Sequence, residues 1–126
     1  MLLAEDNDLN AELATMLLED LGMTVTRTAD GQEVVDLFAE HPAGTYDIIL
    51  MDIMMPKMDG HQAAKAIRAM YADRPDAEEI PIIALSANAF SEDVQSSLDA
   101  GMNGHVSKPL NMEEVTKAIE RNLNRP

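Results

Sequence analysis

The chain contains no cysteine among its 126 residues. Disulfides, thiolate metal sites and cysteine nucleophiles are therefore excluded. Positive charge is scarce too: 9 Lys+Arg stand against 23 Asp+Glu, a formal net charge of −14. Phosphate backbones are gripped by basic faces, which argues against nucleic acid as a direct partner of this domain. Membrane contact is disfavoured in the same way, because anionic lipid attracts basic segments. No apolar run approaches the ~20 residues of a membrane span. The opening MLLAEDNDLN has neither a basic leader nor the long apolar stretch of a secretory signal. Internal repeats, low-complexity tracts and interdomain linkers are lacking as well. What is present is 46% hydrophobic content, too much for a disordered acidic tail. The length fits one domain over residues 1–126. The expectation is a soluble, acidic, cytoplasmic domain.

Short apolar runs alternate with amphipathic stretches. The runs are residues 1–4, 23–25, 47–51, 81–85 and 105–106. Continuous rather than alternating apolarity marks strands buried on both faces. Between them the spacing switches to three or four. Leu9, Leu13, Leu17 and Leu21 form one stripe, and Val34 with Phe38 another. Ala63, Ile67 and Met70 follow, then Val94 with Leu98, then Val115, Ile119 and Leu123. Asp30 with Glu33, Asp59 with Gln62 and Asn111 with Glu114 have capping-box spacing. Ser91 is placed to cap a fourth helix, and Gly22 to end the first. The pattern is five βα units, hence parallel strands with helices on both faces. Residues 71–79 read as a surface loop. Met1 already falls inside the first strand, so the natural chain is expected to extend upstream, the domain being cut from a longer one.

Open parallel sheets bind ligands at the carboxyl ends of their strands. Strand one ends in Glu5–Asp6–Asn7, strand three in Asp52, strand four in Ser86–Ala87–Asn88 and strand five near Ser107–Lys108–Pro109. Glu5, Asp6 and Asp52 then converge, and they repel one another unless a cation compensates. An oxygen-only ligand set suits Mg²⁺. A lysine, a hydroxyl and backbone N–H groups on the same rim would face an anion. Together these parts fit phosphoryl chemistry, which rests on positioning and charge neutralisation.

LLAEDN (2–7), DIILMDIMMPKMDG (47–60), PIIALSAN (81–88) and GMNGHVSKP (101–109) stand in this order and spacing. On them the chain resembles the receiver domains of two-component response regulators and hybrid histidine kinases. That resemblance implies a flavodoxin-like, doubly wound, five-stranded parallel sheet of order 2-1-3-4-5 with five helices. It implies that Asp52 is the phosphoacceptor, Asp6 a direct Mg²⁺ ligand and Glu5 its partner, often through water. It implies that Met54 lends its backbone carbonyl to the metal and that Gly60 opens the third helix. Ser86 matches the switch hydroxyl, Lys108 pairs with a phosphoryl oxygen, and the Ala87 backbone contacts the phosphoryl group. A histidine kinase or histidine phosphotransfer protein would donate, and a downstream output domain or protein would respond. Phosphorylation onto Asp52 would then change the helix 4, strand 5 and helix 5 face. Such a domain is not a turnover enzyme, although it catalyses its own phosphotransfer and can assist its own dephosphorylation. The upstream extension favours attachment after a kinase core.

One position departs from the family: His105 stands where the switch side chain is usually Tyr or Phe. This puts the usual aromatic coupling to Ser86 in question.

Plainer readings sit beside these. Asp6 alone also fits a helix cap, Ser86 a loop hydroxyl, Lys108 a solvated lysine and His105 a partly buried strand residue. His41 and His61 read as surface residues, and Glu12, Glu19, Asp20, Asp36 and Glu40 as solvated helix faces. The ten Met are mostly core filler, with Met54, Met55 and Met58 an apolar docking surface as the alternative. A Mg²⁺-dependent aspartyl-phosphate phosphohydrolase would want D-x-D after a strand, but Met54 stands two beyond Asp52. A flavin or dinucleotide binder would want a Gly- or Thr-rich loop after strand one, where EDNDLN stands. A non-phosphorylated docking module is the remaining alternative.

Overall fold

The computed structural model describes residues 1–41, 46–53, 58–72, 77, 80–86, 91–107 and 112–123, with the backbone alone at 71, 72, 86, 91–94, 107, 112, 122 and 123. Five strands form one sheet: β1 (Leu2–Ala4), β2 (Thr26–Thr28), β3 (Ile49–Asp52), β4 (Ile82–Ser86) and β5 (Gly104–Ser107). All neighbours pair in parallel, in the order β2-β1-β3-β4-β5. The described helices are α1 (Asp8–Asp20), α2 (Gly31–Glu40), α3 (Gly60–Arg68), α4 (Ser91–Asp99) and α5 (Met112–Leu123), with a 3₁₀ turn at Ala69–Ala72.

Successive side chains of a strand point to opposite faces, and both faces are covered here. Leu2, Ala4, Ile49, Met51, Ile82 and Ala84 pack in one layer with Val34 and Phe38 of α2 and Ala63 and Ile67 of α3. Leu3, Ile48, Leu50, Ile83, Leu85 and Val106 pack in the other with Ala14 and Leu18 of α1 and Val115 and Ile119 of α5. This double burial is why the strands read as unbroken apolar runs.

Two expectations fail. The second strand lies at Thr26–Thr28 rather than 23–25. It is an edge strand, and only Thr28 of its three residues is buried. Met23 and Val25 spend their apolarity packing beneath the sheet instead. The stripe expected on α1 also faces the wrong way. Ala11, Ala14 and Leu18 are buried, whereas Leu9, Leu13 and Leu21 are exposed. With 3.6 residues per turn, a strict spacing of four drifts about 40° per step around a helix. Residues at i, i+3 and i+7 keep a tighter face, and the two alanines let α1 approach the sheet. Leu98 of α4 is likewise exposed, while Ser97 is buried.

The caps are as spaced where described. Asp59 accepts from the Gln62 amide at 2.8 Å while Gln62 accepts from the Asp59 amide at 3.1 Å. Asp30 accepts from the Glu33 amide at 2.9 Å. Gly22, after α1, has φ +89°, a left-handed conformation that suits glycine. Asn111 lies outside the described residues, as does the Ser91 side chain.

Candidate functional site at the carboxyl edge

Side-chain alternation carries the acidic residues to one place. Leu3 and Leu50 share a layer, so Glu5 and Asp52, two positions further along adjacent strands, share its face. The register pairs Ala4 with Met51, which sets Glu5 and Asp52 side by side one step on. Asp52 is itself the last residue of β3. Carboxylate oxygens of Glu5, Asp6 and Asp52 all lie within 4.8 Å of one another. Glu5 and Asp52 are buried, at 2% and 4% exposure, while Asp6 faces solvent.

The backbone around them is tied down. The Glu5 amide donates to Thr28 O at 3.0 Å, and the Ile53 amide to Leu85 O at 3.1 Å. The Gly60 amide closes the following loop onto Ile53 O at 2.9 Å. Any Cβ at Gly60 would lie 2.4 Å from Asp52 O, so only glycine lets α3 begin this close to Asp52. Asn7, not Asp6, caps α1, accepting from the Asn10 amide at 3.0 Å. Asp6 is thereby not spent on the helix end, and its exposed carboxylate keeps an oxygen within 4.8 Å of those of Glu5 and Asp52.

Residue patterns had not pointed to Arg27. Its Nε and Nη2 donate to Glu5 O at 3.0 and 2.8 Å, and its Nη1 pairs with Asp8 at 3.0 Å. Backbone acceptors leave no mark in a side-chain pattern.

The donor set fits a hard divalent cation. Two oxygens bound to one Mg²⁺ at ~2.1 Å are at most about 4.2 Å apart. Carboxylates within 4.8 Å can close on such an ion, with a water between it and one of them.

His105 lies in β5 opposite Ala84. Its Nε2 is buried without a hydrogen-bond partner among the described residues. Ser86 ends β4, paired with Ser107, but its side chain lies outside the described residues, as do Met54, Met55, Ala87 and Lys108. Met58 is half-buried and packs against the α2–α3 layer. His61 is half-buried, its Nε2 3.1 Å from the hydroxyl of buried Ser97. His41 also packs rather than standing free: its Nδ1 is 2.8 Å from Leu37 O and its ring meets Tyr46 edge-on. Among the described residues no helix is long and apolar enough to cross a membrane.

A family model described as the response regulator receiver domain matches residues 1–120. The peroxide stress-activated histidine kinase mak1 of Schizosaccharomyces pombe is 38% identical over 124 residues, 98% of this chain but 8% of that protein. In other curated relatives too the chain spans only a small part of the protein, from 7% of hybrid signal transduction histidine kinase I of Dictyostelium discoideum to 15% of probable histidine kinase 1 of Oryza sativa subsp. indica. The receiver domain of sensor histidine kinase PA1611 from Pseudomonas aeruginosa PAO1 superposes with a TM-score of 0.86 at 37% identity, over 98% of this chain and 96% of that one. Its crystal structure has a magnesium ion coordinated in the active site cleft. The receiver domain of Ssk1 from Saccharomyces cerevisiae, co-crystallised with the histidine phosphotransfer protein Ypd1, superposes with a TM-score of 0.84 at 27% identity, covering 96% of this chain and 86% of that one.

Proposed function

Because the chain belongs to the response regulator receiver domain family, a family of signalling switches rather than turnover enzymes, we propose that Asp52 is its phosphoacceptor. The observation that carries this is the convergence of Glu5, Asp6 and Asp52 within 4.8 Å on the carboxyl edge. Asp6 and Asp52 would hold Mg²⁺ directly and Glu5 through water, with the Met54 carbonyl completing the set. Bound there, Mg²⁺ supplies neutralisation of the phosphoryl oxygens' charge.

A carboxylate oxygen of Asp52 attacks the phosphorus of a partner's phosphohistidine. The O–P bond forms as the P–N bond breaks, and the electron pair of that bond stays on the imidazole nitrogen. Lys108, the Ser86 hydroxyl and the Ala87 amide take the phosphoryl oxygens. Water attacking the same phosphorus later would return Asp52 to a carboxylate. The switch runs from Ser86 to His105 and shifts the α4–β5–α5 face. A buried imidazole nitrogen without a partner costs free energy, so the His105 ring has reason to change place.

The donor in this reading is a histidine phosphotransfer protein or a kinase's histidine domain. Leu9, Leu13 and Met16, at i, i+4 and i+7 of α1, are 63%, 52% and 57% exposed. Such a stripe suits docking on a helical partner, and α1 begins directly after the acidic residues. Residues 1–126 would act as one cytoplasmic receiver within a longer chain, as relatives far longer than this chain suggest.

The test is to incubate the chain with Mg²⁺ and a small phosphodonor and measure its intact mass. One phosphoryl group should add, and should fail to add in Asp52→Asn or with chelator. No uptake under conditions where Mg²⁺ binds would leave a docking module. Repeated turnover of a small phosphoester would indicate a phosphohydrolase.

A further inference from the structure

We propose that Arg27 is a positioning residue that aims the carboxylates of Glu5 and Asp6 at the divalent cation. The inference rests on reading the acidic cluster as a Mg²⁺ site. Arg27 touches neither the phosphoacceptor nor any carboxylate of the cluster in the contacts described. Its guanidinium instead forks onto one backbone oxygen, Glu5 O, through Nε at 3.0 Å and Nη2 at 2.8 Å.

That oxygen belongs to the peptide unit joining Glu5 to Asp6. The unit is planar, with both Cα atoms in its plane. Fixing the carbonyl therefore fixes the two points from which both side chains spring. The preceding peptide is held by the same strand, since the Glu5 amide donates to Thr28 O at 3.0 Å. The Thr28 hydroxyl in turn donates to Leu3 O at 3.3 Å, tying β2 to β1. A third guanidinium nitrogen, Nη1, pairs with Asp8 at 3.0 Å, anchoring the fork to the first turn of α1. The acidic segment is thus braced from β2 on one side and from α1 on the other. Three carboxylates at this spacing push one another apart, and bracing holds them together before the cation arrives.

Lysine cannot replace this. Its ammonium is a point charge, whereas the guanidinium presents several donors in a rigid plane. The charge of Arg27 also works against the proposed role, because a nearby positive charge repels a second cation. Positioning and charge therefore predict opposite signs. Removing a mere charge tightens Mg²⁺ binding, and removing a brace weakens it.

The experiment is calorimetric titration of the chain with MgCl₂ alone, well below the unfolding temperature. Arg27→Ala and Arg27→Lys should both weaken Mg²⁺ binding by about 10- to 100-fold, the usual range for residues that orient metal ligands. Asp8→Asn, which leaves the fork on Glu5 O, should weaken it less. In Arg27→Lys the ¹⁵N resonance of the Asp6 amide, which shares the peptide unit with the accepting oxygen, should also move. Equal or tighter binding in Arg27→Ala, or full rescue by Arg27→Lys, would overturn the proposal. If Arg27→Ala fails to fold, Arg27→Lys decides, because it keeps the charge and removes the fork: binding equal to wild type overturns the proposal. Asp6→Asn separates the two readings. If wild type binds Mg²⁺ no better than Asp6→Asn, the cation site itself is wrong and the Arg27 inference falls with it.

Discussion

The two edges of the sheet solve opposite charge problems. At the amino edge, one cation is met by acceptors from its own chain. Arg68 donates to Gly101 O at 2.9 Å, Ala77 O at 2.9 Å and Asn103 Oδ1 at 2.7 Å. Asn103 Oδ1 also accepts from the Ile82 amide at 2.9 Å, and the Asn103 amide donates back to Ile82 O at 2.7 Å. That network stays within the chain and joins α3 to the segments that lead into β4 and β5. At the carboxyl edge, three carboxylates are gathered within 4.8 Å, a concentration of like charge that a visiting cation would relieve. Closure serves the fold. Incompleteness serves exchange with something outside, and the comparison can be tested edge by edge.

The largest effect is expected at the closed edge. Arg68→Met keeps much of the packed stem but removes a donor from Gly101 O, Ala77 O and Asn103 Oδ1, of which only Asn103 Oδ1 keeps a second described donor, the Ile82 amide. An unmet, partly buried acceptor costs about 1–3 kcal/mol, and solvent reaches some of these groups. The expected loss is about 3 kcal/mol by urea unfolding, with Mg²⁺ affinity unchanged. A loss below about 1 kcal/mol would show that the amino edge is not a clamp, and the contrast would fail.

At the open edge the cation should stabilise the fold by linkage. A ligand at a hundredfold excess over its Kd adds about 2.7 kcal/mol, and chelator should remove that gain. Asp6→Asn should behave in the reverse way. Without Mg²⁺ it relieves repulsion and raises stability by about 1 kcal/mol. With Mg²⁺ it should gain little. Should Asp6→Asn prove less stable than wild type in chelator, the carboxylates are not straining one another and the edge is not open in this sense.

The same contrast explains what was legible in the residues. Runs such as 47–51 announced strands because burial on both faces leaves no polar alternation. Asp52 stood out because a carboxylate ends an apolar run, and the Asp59–Gln62 pair because capping depends on side chains at fixed spacing. β2 was misplaced by three residues because an edge strand does not need apolar side chains on both faces. The α1 stripe was misassigned because leucine outweighs alanine in any reading by hydrophobicity, while close packing favoured Ala11 and Ala14. Arg27 and Arg68 left no sign, since most of their partners are backbone carbonyls.

That misassigned stripe gives the smallest expected effect on the fold and the clearest separation of fold from function. Leu18 is fully buried against Leu3 and Leu50, whereas Leu13 on the same helix is 52% exposed. Leu13→Gln removes little buried surface, so its stability should stay within about 0.5 kcal/mol of wild type. Uptake of phosphoryl from a small donor needs no docking face and should also be unchanged. Transfer from a histidine phosphotransfer protein should fall about tenfold, the loss expected for a contributing contact residue. Equal transfer from the protein donor would mean that α1 does not form the docking face, and its leucines would then have to be assigned to some other contact. A fall with both donors would instead place Leu13 among the determinants of the acidic edge, because α1 starts where that edge ends.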